Sequence, residues 1–270
     1  MVDLLKITGD SELYNFHTHT QFCDGHATME EFVVEAINEN FRLLGFSPHA
    51  PIPLESPCNM SRDSVPDYLA EIERLRGIYG QRIHICASME IDYVDGFGAF
   101  DRFFGNLPLD YRIGSVHFIP SFDNPNEYVD IDGSIEKFKE KMRKYFHHDI
   151  ERVVKSFYKQ SMDMIDCGGF EVIGHFDKIG NNASMFRYGI DEEAWYDQLV
   201  IDLFENIMDH HLTVEINTKA YMGSNRFFPN LKYFGMLKKY KAPIIINSDA
   251  HHPHLLNSGR QEALHLYNVL

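Results

Sequence analysis

The chain has 270 residues, of which 44% are hydrophobic and 13% aromatic. That is enough apolar mass for a sizeable core and excludes a disordered or fibrous chain. Its 25 Lys and Arg stand against 40 Asp and Glu, a net charge of −15, which excludes nucleic acid as a generic partner because that binding needs a basic stripe. No apolar run approaches a membrane span, and the N-terminus lacks the basic start and apolar stretch of a signal peptide. The four cysteines (Cys23, Cys58, Cys86, Cys167) form no CxxC, so a cytoplasmic protein is expected. One domain over residues 1–270 is expected, since no Pro/Gly/Ser-rich linker divides the chain.

Seven apolar runs read as strands: 13–16, 43–47, 83–91, 112–118, 171–175, 212–217 and 243–247. Helical segments lie between them. Thr28-Met29-Glu30-Glu31 has the form of a capping box, followed by Phe32, Val33, Ala36 and Ile37 at helical spacing. A second helix starts near Ser64 with Pro66 in its first turn. One long helix is predicted from Phe138 to about Cys167, another from near Asp191, and a shorter one after Pro229. Strands alternating with helices indicate a parallel sheet with covering helices, and seven of them in one undivided chain suggest a barrel.

Chemistry-bearing residues concentrate at the strand ends. The first run ends in His17-Thr18-His19, and the second leads to His49. The third carries Glu90, the fourth ends at His117 and the fifth at His175. The seventh runs into Asp249 and His251. In a parallel barrel these ends open on one face, where barrel enzymes place their chemistry. Imidazole and carboxylate together suit Zn, Mn or Fe. Residues two apart at a strand end point to one side, so His17 and His19, and likewise Asp249 and His251, can act in pairs. Single histidines such as His84 carry no such signal, and His147, His148, His210 and His211 fall in or beside predicted helices. The Arg226-Phe227-Phe228 stretch reads as core packing before it reads as a substrate wall.

These motifs resemble those of the PHP (polymerase and histidinol phosphatase) metal-dependent phosphoesterases. In order they are the HxH pair with Asp24-Gly25, Ser47-Pro48-His49, Met89-Glu90, GSVH at 114–117, Gly174-His175, EINT at 215–218 and SDAH at 248–251. Within that family EIDY at 90–93, DYRIGSVHF at 110–118 and GHFD at 174–177 are most similar to the monofunctional histidinol-phosphate phosphatases. Pro48 and Asn247 depart from the family pattern, where Asp and a small residue are common.

The resemblance implies an α/β fold, a distorted (β/α)7 TIM-like barrel, holding three divalent ions (Zn, Mn or Fe). The implied ligands are His17, His19, Asp24, His49, Glu90, His117, His175, Asp249 and His251. Glu90 would bridge two ions, one sharing it with His17, His19 and Asp249, the other with His117 and His175; Asp24, His49 and His251 would hold the third. It further implies hydrolysis of L-histidinol phosphate by a hydroxide bridging the ions, in histidine biosynthesis. Three divalent ions against three carboxylates leave the site positive, so a small phosphomonoester can bind an acidic protein. Lys178 and Arg226, each close behind a strand-end motif, are the candidate substrate contacts. Alternatives are another PHP phosphoesterase acting on a different monoester or nucleotide, an amidohydrolase-type barrel, and an inactive metal-binding scaffold. Oligomeric state is not readable.

Overall fold

The structure, a computed structural model, describes residues 2–9 and 11–270. Among the described residues ten short strands occur in chain order: β1 Tyr14–Asn15, β2 Leu43–Phe46, β3 His84–Ala87, β4 Glu90–Asp92, β5 Ile113–Ser115, β6 Phe118–Pro120, β7 Tyr128–Asp130, β8 Val172–Ile173, β9 Thr213–Asn217 and β10 Ile244–Asn247. Parallel pairing runs β1-β2-β3 in one sheet and β4-β5-β8-β9-β10 in another. Single parallel bridges, His49 with Glu90 and Thr18 with Ala250, join the two. Because β3 and β4 follow each other along one run, the ring has seven positions and closes on itself. This is the distorted (β/α)7 barrel.

Two predicted strands are each interrupted, for a visible reason. The 83–91 run breaks after Ala87, where Tyr68, from the helix Val65–Tyr79, donates its hydroxyl to the carbonyls of Phe46 (3.0 Å) and Ser88 (2.7 Å). The 112–118 run breaks because the His117 amide donates to the Asp92 carboxylate at 2.9 Å instead of to a neighbouring strand. The chain then leaves the barrel as an antiparallel ribbon of β6 with β7.

The capping box forms as expected. Thr28 accepts from the Glu31 amide, and Glu31 accepts from the Thr28 amide at 2.8 Å. The long helix expected from Phe138 to Cys167 is instead two, Ile135–Tyr145 and Ile150–Cys167. His147 and His148 between them take left-handed φ values of 50° and 60°. Asp149 then caps the new helix by accepting from the Arg152 amide. The apolar periodicity could not register this break, since both helices face the same core.

A smaller core of Leu4, Phe16, Leu43, Cys86, Tyr111, Ile113, Val172 and Ile245 draws on nearly every position of the ring. It fills the inside of the barrel toward the N-terminal ends of its strands and leaves the opposite end for the polar side chains. No helix among the described residues is long and apolar enough to cross a membrane.

Closure between β10 and β1 depends on Asn247, one of the two departures from the family pattern. Its Oδ1 accepts from the Phe16 amide at 2.8 Å and its Nδ2 donates to Glu215 Oε1 at 2.9 Å. Asn247→Ala therefore strands a buried amide and weakens the support of a buried carboxylate. We expect a loss of about 2–4 kcal/mol of stability, measured by urea unfolding; a loss within 0.5 kcal/mol, on the order of a neutral surface change, would contradict this role.

Candidate metal centre

The C-terminal ends of the strands deliver their side chains to one buried volume. His17 and His19 follow β1, His49 follows β2, Glu90 opens β4, His117 follows β5, His175 follows β8, and Asp249 and His251 follow β10. Asp24 arrives on the loop after β1. That loop is pinned at Gly25, where a β-carbon would run into the backbone of His19 and Thr20. Asp249 sits at a left-handed φ of 51° and His175 at 26°. Such backbone costs on the order of 1–3 kcal/mol in a non-glycine residue and clusters at functional sites.

Glu90 is the hub. Its Oε2 lies 3.2 Å from His17 Nε2, 3.5 Å from His19 Nε2 and 3.2 Å from His49 Nδ1. Its Oε1 lies 2.8 Å from His175 Nε2 and 3.6 Å from His117 Nε2, and accepts from Ser115 Oγ at 2.7 Å. Asp249 Oδ1 is 3.0 Å from His19 Nε2 and 3.9 Å from His17 Nε2. At the outer edge Asp24 lies 3.4 Å from His19, 3.5 Å from His251 and 3.9 Å from His49. Donor atoms within 4.8 Å of one another form five overlapping groups among the described residues: His17-His19-Glu90, His17-His175-Asp249, Glu90-His117-His175, His49-Asp92-His117 and His19-Asp24-His49-His251. The nine residues expected from sequence are thus all brought together. His19 faces two of the groups, so the outer one is not limited to Asp24, His49 and His251.

The donor set suits divalent cations. His17 Nε2, His19 Nε2, His49 Nδ1, Asp24 Oδ1 and Glu90 Oε2 are buried with no hydrogen-bond partner among the described residues. So many orphaned donors would be costly unless something coordinates them. Their charges point the same way. Burial raises the Glu90 carboxyl, but His17, His49 and His117 outweigh it and hold it well below the usual range. Burial likewise opposes ionisation of Asp249, and Lys219, His17 and His19 overcome it. Burial, then the Lys178 ammonium, pushes the His175 imidazole down to about 4; burial, then His19 and Lys219, does the same to His251. For His17 burial is outweighed by Glu215, Glu90 and Asp249, which lift it to about 10. The pocket therefore demands positive charge, which either protons or metal ions can supply.

Behind this layer, carboxylates fix the rings. Glu215 Oε1 is 2.7 Å from His17 Nδ1, and Asp92 Oδ1 is 2.8 Å from His117 Nδ1. Each holds a proton on Nδ1 and leaves Nε2 free to ligate. Glu215 Oε2 also accepts from the His175 amide and from Asn217. The two lysines flank the cluster: Lys178 Nζ is 3.0 Å from His117 Nε2 and 2.7 Å from Asp132, while Lys219 Nζ is 3.2 Å from Asp249 and 3.3 Å from His251. Arg226 lies elsewhere. Its guanidinium is held by Asp191 at 2.6 Å and Asp177 at 3.2 Å, and Phe227 beside it stacks on Tyr221 in the core.

Sequence reasoning missed Asp92, Asp132, Glu215 and Lys219 as site residues. Three had a usable signal. Asp92 is two residues beyond Glu90 and so on the same side of its strand, Glu215 heads the EINT motif, and Lys219 follows β9 much as Lys178 follows β8. Asp132 had none, because the ribbon that brings it over the mouth was not foreseen. A cavity of about 610 Å³ opens beside the cluster, lined among others by Asp24, His49, Asp92, His117, Phe118 and Lys219.

A family model described as the PHP domain matches residues 15–219. The chain belongs to the PHP family. This PHP chain is 26% identical over 252 residues to a protein of Deinococcus radiodurans named "Probable histidinol-phosphatase", covering 89% of this chain and 87% of that one. It is 26% identical over 256 residues to the histidinol-phosphatase of Bacillus subtilis, covering 87% and 92%. A crystal structure from Listeria monocytogenes carrying a histidinol phosphatase assignment superposes with a TM-score of 0.82 at 19% identity, covering 92% of this chain and 99% of that one. The histidinol phosphate phosphatase of Lactococcus lactis, solved with Zn, L-histidinol and phosphate, gives 0.73 at 18%, covering 96% and 93%. These two likenesses establish the shared PHP barrel.

The raised His17 gives a signed expectation. At neutral pH an incoming divalent ion must displace protons from such rings, so Zn binding to the metal-free chain should release protons and tighten as pH rises toward 10. Calorimetric titration in buffers of different ionisation enthalpy measures this; proton uptake would contradict it. Glu215→Gln should weaken metal retention 10–100-fold on the order typical of lost ring support, read as metal content after dialysis.

Proposed function

We propose that the chain is a metal-dependent phosphomonoester hydrolase acting on L-histidinol phosphate to give L-histidinol and phosphate, as one catalytic domain over residues 1–270. The observation that carries the reading is a buried nitrogen and oxygen donor cluster beside a cavity, with the ammonium groups of Lys178 and Lys219 against it, in a chain whose near-full-length relatives are named histidinol-phosphatases. Three divalent ions, Zn, Mn or Fe, are the complement expected for these overlapping donor groups. They would be held by His17, His19, Asp24, His49, Glu90, His117, His175, Asp249 and His251. When bound, such ions acidify water toward neutral pH and neutralise charge on a phosphoryl group.

The chain's own residues do the rest. Glu215 and Asp92 keep the Nδ1 protons of His17 and His117 in place, so that both rings present Nε2 to the cluster. Lys178 is buried to about nine-tenths and Lys219 is less so. Their ammonium groups stand against His117 and Asp249 respectively, where they would hold phosphoryl oxygens and stabilise charge spreading onto them. Arg226 is omitted from the substrate contacts, since two carboxylates already occupy its guanidinium. The cavity is of the size that encloses a small ligand, and a cytoplasmic biosynthetic enzyme is the setting that fits such a substrate.

Activity on L-histidinol phosphate beside p-nitrophenyl phosphate, before and after chelation and with metal content measured on the same sample, tests the reading. We expect preference for histidinol phosphate, loss on chelation and recovery on adding metal. Undiminished turnover in metal-free protein, or preference for the generic ester, would end it. Lys178→Ala should raise KM by about tenfold or more with a smaller change in kcat, as removal of a charge-assisted hydrogen bond predicts.

A further inference from the structure

Asp92 has one oxygen committed and one idle. Oδ1 accepts from both the amide and Nδ1 of His117, at 2.9 and 2.8 Å. Oδ2 is buried and has no hydrogen-bond partner among the described residues, although the residue as a whole is 0% exposed. A carboxylate oxygen buried without a donor is costly to keep. Supporting His117 requires only Oδ1, so that role does not explain the exposure of Oδ2 to this cost.

Asp92 lines the cavity beside the cluster, on the wall that also holds Phe118, Tyr128 and Glu127. Other acids of this wall are already matched: Asp130 pairs with Lys141 at 2.8 Å and Asp132 with Lys178 at 2.7 Å. Glu127, whose contacts among the described residues include Ser121 Oγ at 3.2 Å, has no ion pair there. The cavity thus has Lys219 against the cluster, with Lys178 next to its Asp132, and an aromatic wall beside it on which Lys141 matches Asp130 while Asp92 Oδ2 and Glu127 have no ion pair among the described residues. A substrate suited to both ends carries a phosphate and, a few atoms away, a cationic or N–H-bearing group.

We propose that Asp92 Oδ2, seconded by Glu127, is the specificity contact that receives the cationic amino end of the substrate, while Asp92 Oδ1 positions His117. The inference rests on the histidinol phosphate reading and assigns the part of that molecule the metal cluster does not engage. One carboxylate would then serve both halves of the substrate: its phosphate through His117, its amine directly. The aromatic faces of Phe118 and Tyr128 would add apolar and cation–π contact around the same group.

Asp92→Asn separates the two roles, because its amide oxygen can still accept from His117 while an NH2 group replaces the idle oxygen. Kinetics of Asp92→Asn and Glu127→Gln on L-histidinol phosphate and on p-nitrophenyl phosphate, with metal content and calorimetric binding of L-histidinol to the metal-loaded protein, form the test. We expect KM for histidinol phosphate to rise about tenfold or more in Asp92→Asn, on the scale of a lost hydrogen bond to a charged group. In Glu127→Gln, values for p-nitrophenyl phosphate should stay within about threefold and metal content should be unchanged; in Asp92→Asn any loss passed through His117 falls on both esters alike, so the readout is the additional rise in KM for histidinol phosphate, and L-histidinol binding should weaken in both variants. Equal losses on both esters would mean that Asp92 acts only through His117 and would overturn the proposal. A fall in metal content beyond that of Glu215→Gln, which removes the same kind of ring support, would do the same, by making Oδ2 a further metal donor beside His49 and His117, whose donor atoms lie within 4.8 Å of it or its companion oxygen. Wild-type protein with no preference for histidinol phosphate would instead defeat the underlying reading, and is scored separately by the wild-type rates.

Discussion

The fold is organised around an electrostatic demand. Glu90, Asp249, Asp24 and their neighbours place several carboxylates in a volume almost closed to water, where an unpaired charge is expensive. Of the surrounding histidines, His17, His19 and His117 answer that demand by holding protons above their normal range, while burial and neighbouring cations push His49, His175 and His251 below it. Divalent ions answer it better, because each brings two charges and several coordination positions to the same space. Burial, orphaned donors and shifted acidities are thus one fact seen three ways.

Positioning this cluster takes most of the barrel. The strands are short, two to five residues each, and many of them end where a ligand begins. What would otherwise be lost in strand pairing is recovered by side chains. Asn247 bridges β10 to the Phe16 amide, Tyr68 fills the break between β3 and β4, and Tyr111 donates its hydroxyl to the Phe16 carbonyl. The distortion of the barrel is therefore tied to its chemistry. The break after Ala87 precedes Glu90, and the break at Val116 turns His117 onto Asp92. Left-handed backbone at His175 and Asp249 belongs to the same pattern, a local cost accepted where the side chain must point inward.

The site gathers cationic groups in a chain that is acidic overall. Lys178 and Lys219 stand at the cluster, and Lys137 and Lys141 share the adjoining wall with Asp92, Glu127, Asp130 and Asp132. A net charge of −15 says little about such a pocket, because at contact distance the nearest few groups outweigh the sum over a screened surface. Three residues here, Asp92, Lys178 and Glu215, each touch a histidine of the donor cluster.

The amino-acid sequence by itself determined the alternation of strands and helices, the capping box at Thr28, and the placement of His, Asp and Glu at strand ends. Those are local properties: side-chain period, capping chemistry and residue order survive in one dimension. Membership of the PHP family followed from the same ordered motifs. Tertiary structure alone decided the split of the 138–167 helix, the ribbon of β6 and β7, the removal of Arg226 to an ion pair with Asp177 and Asp191, and the recruitment of Lys219 and Asp132. These depend on which distant group occupies the space next to a side chain. A lysine two residues past a strand end reads the same whether it meets a carboxylate of the core or the edge of a metal cluster, and only the closed ring of strands settles which.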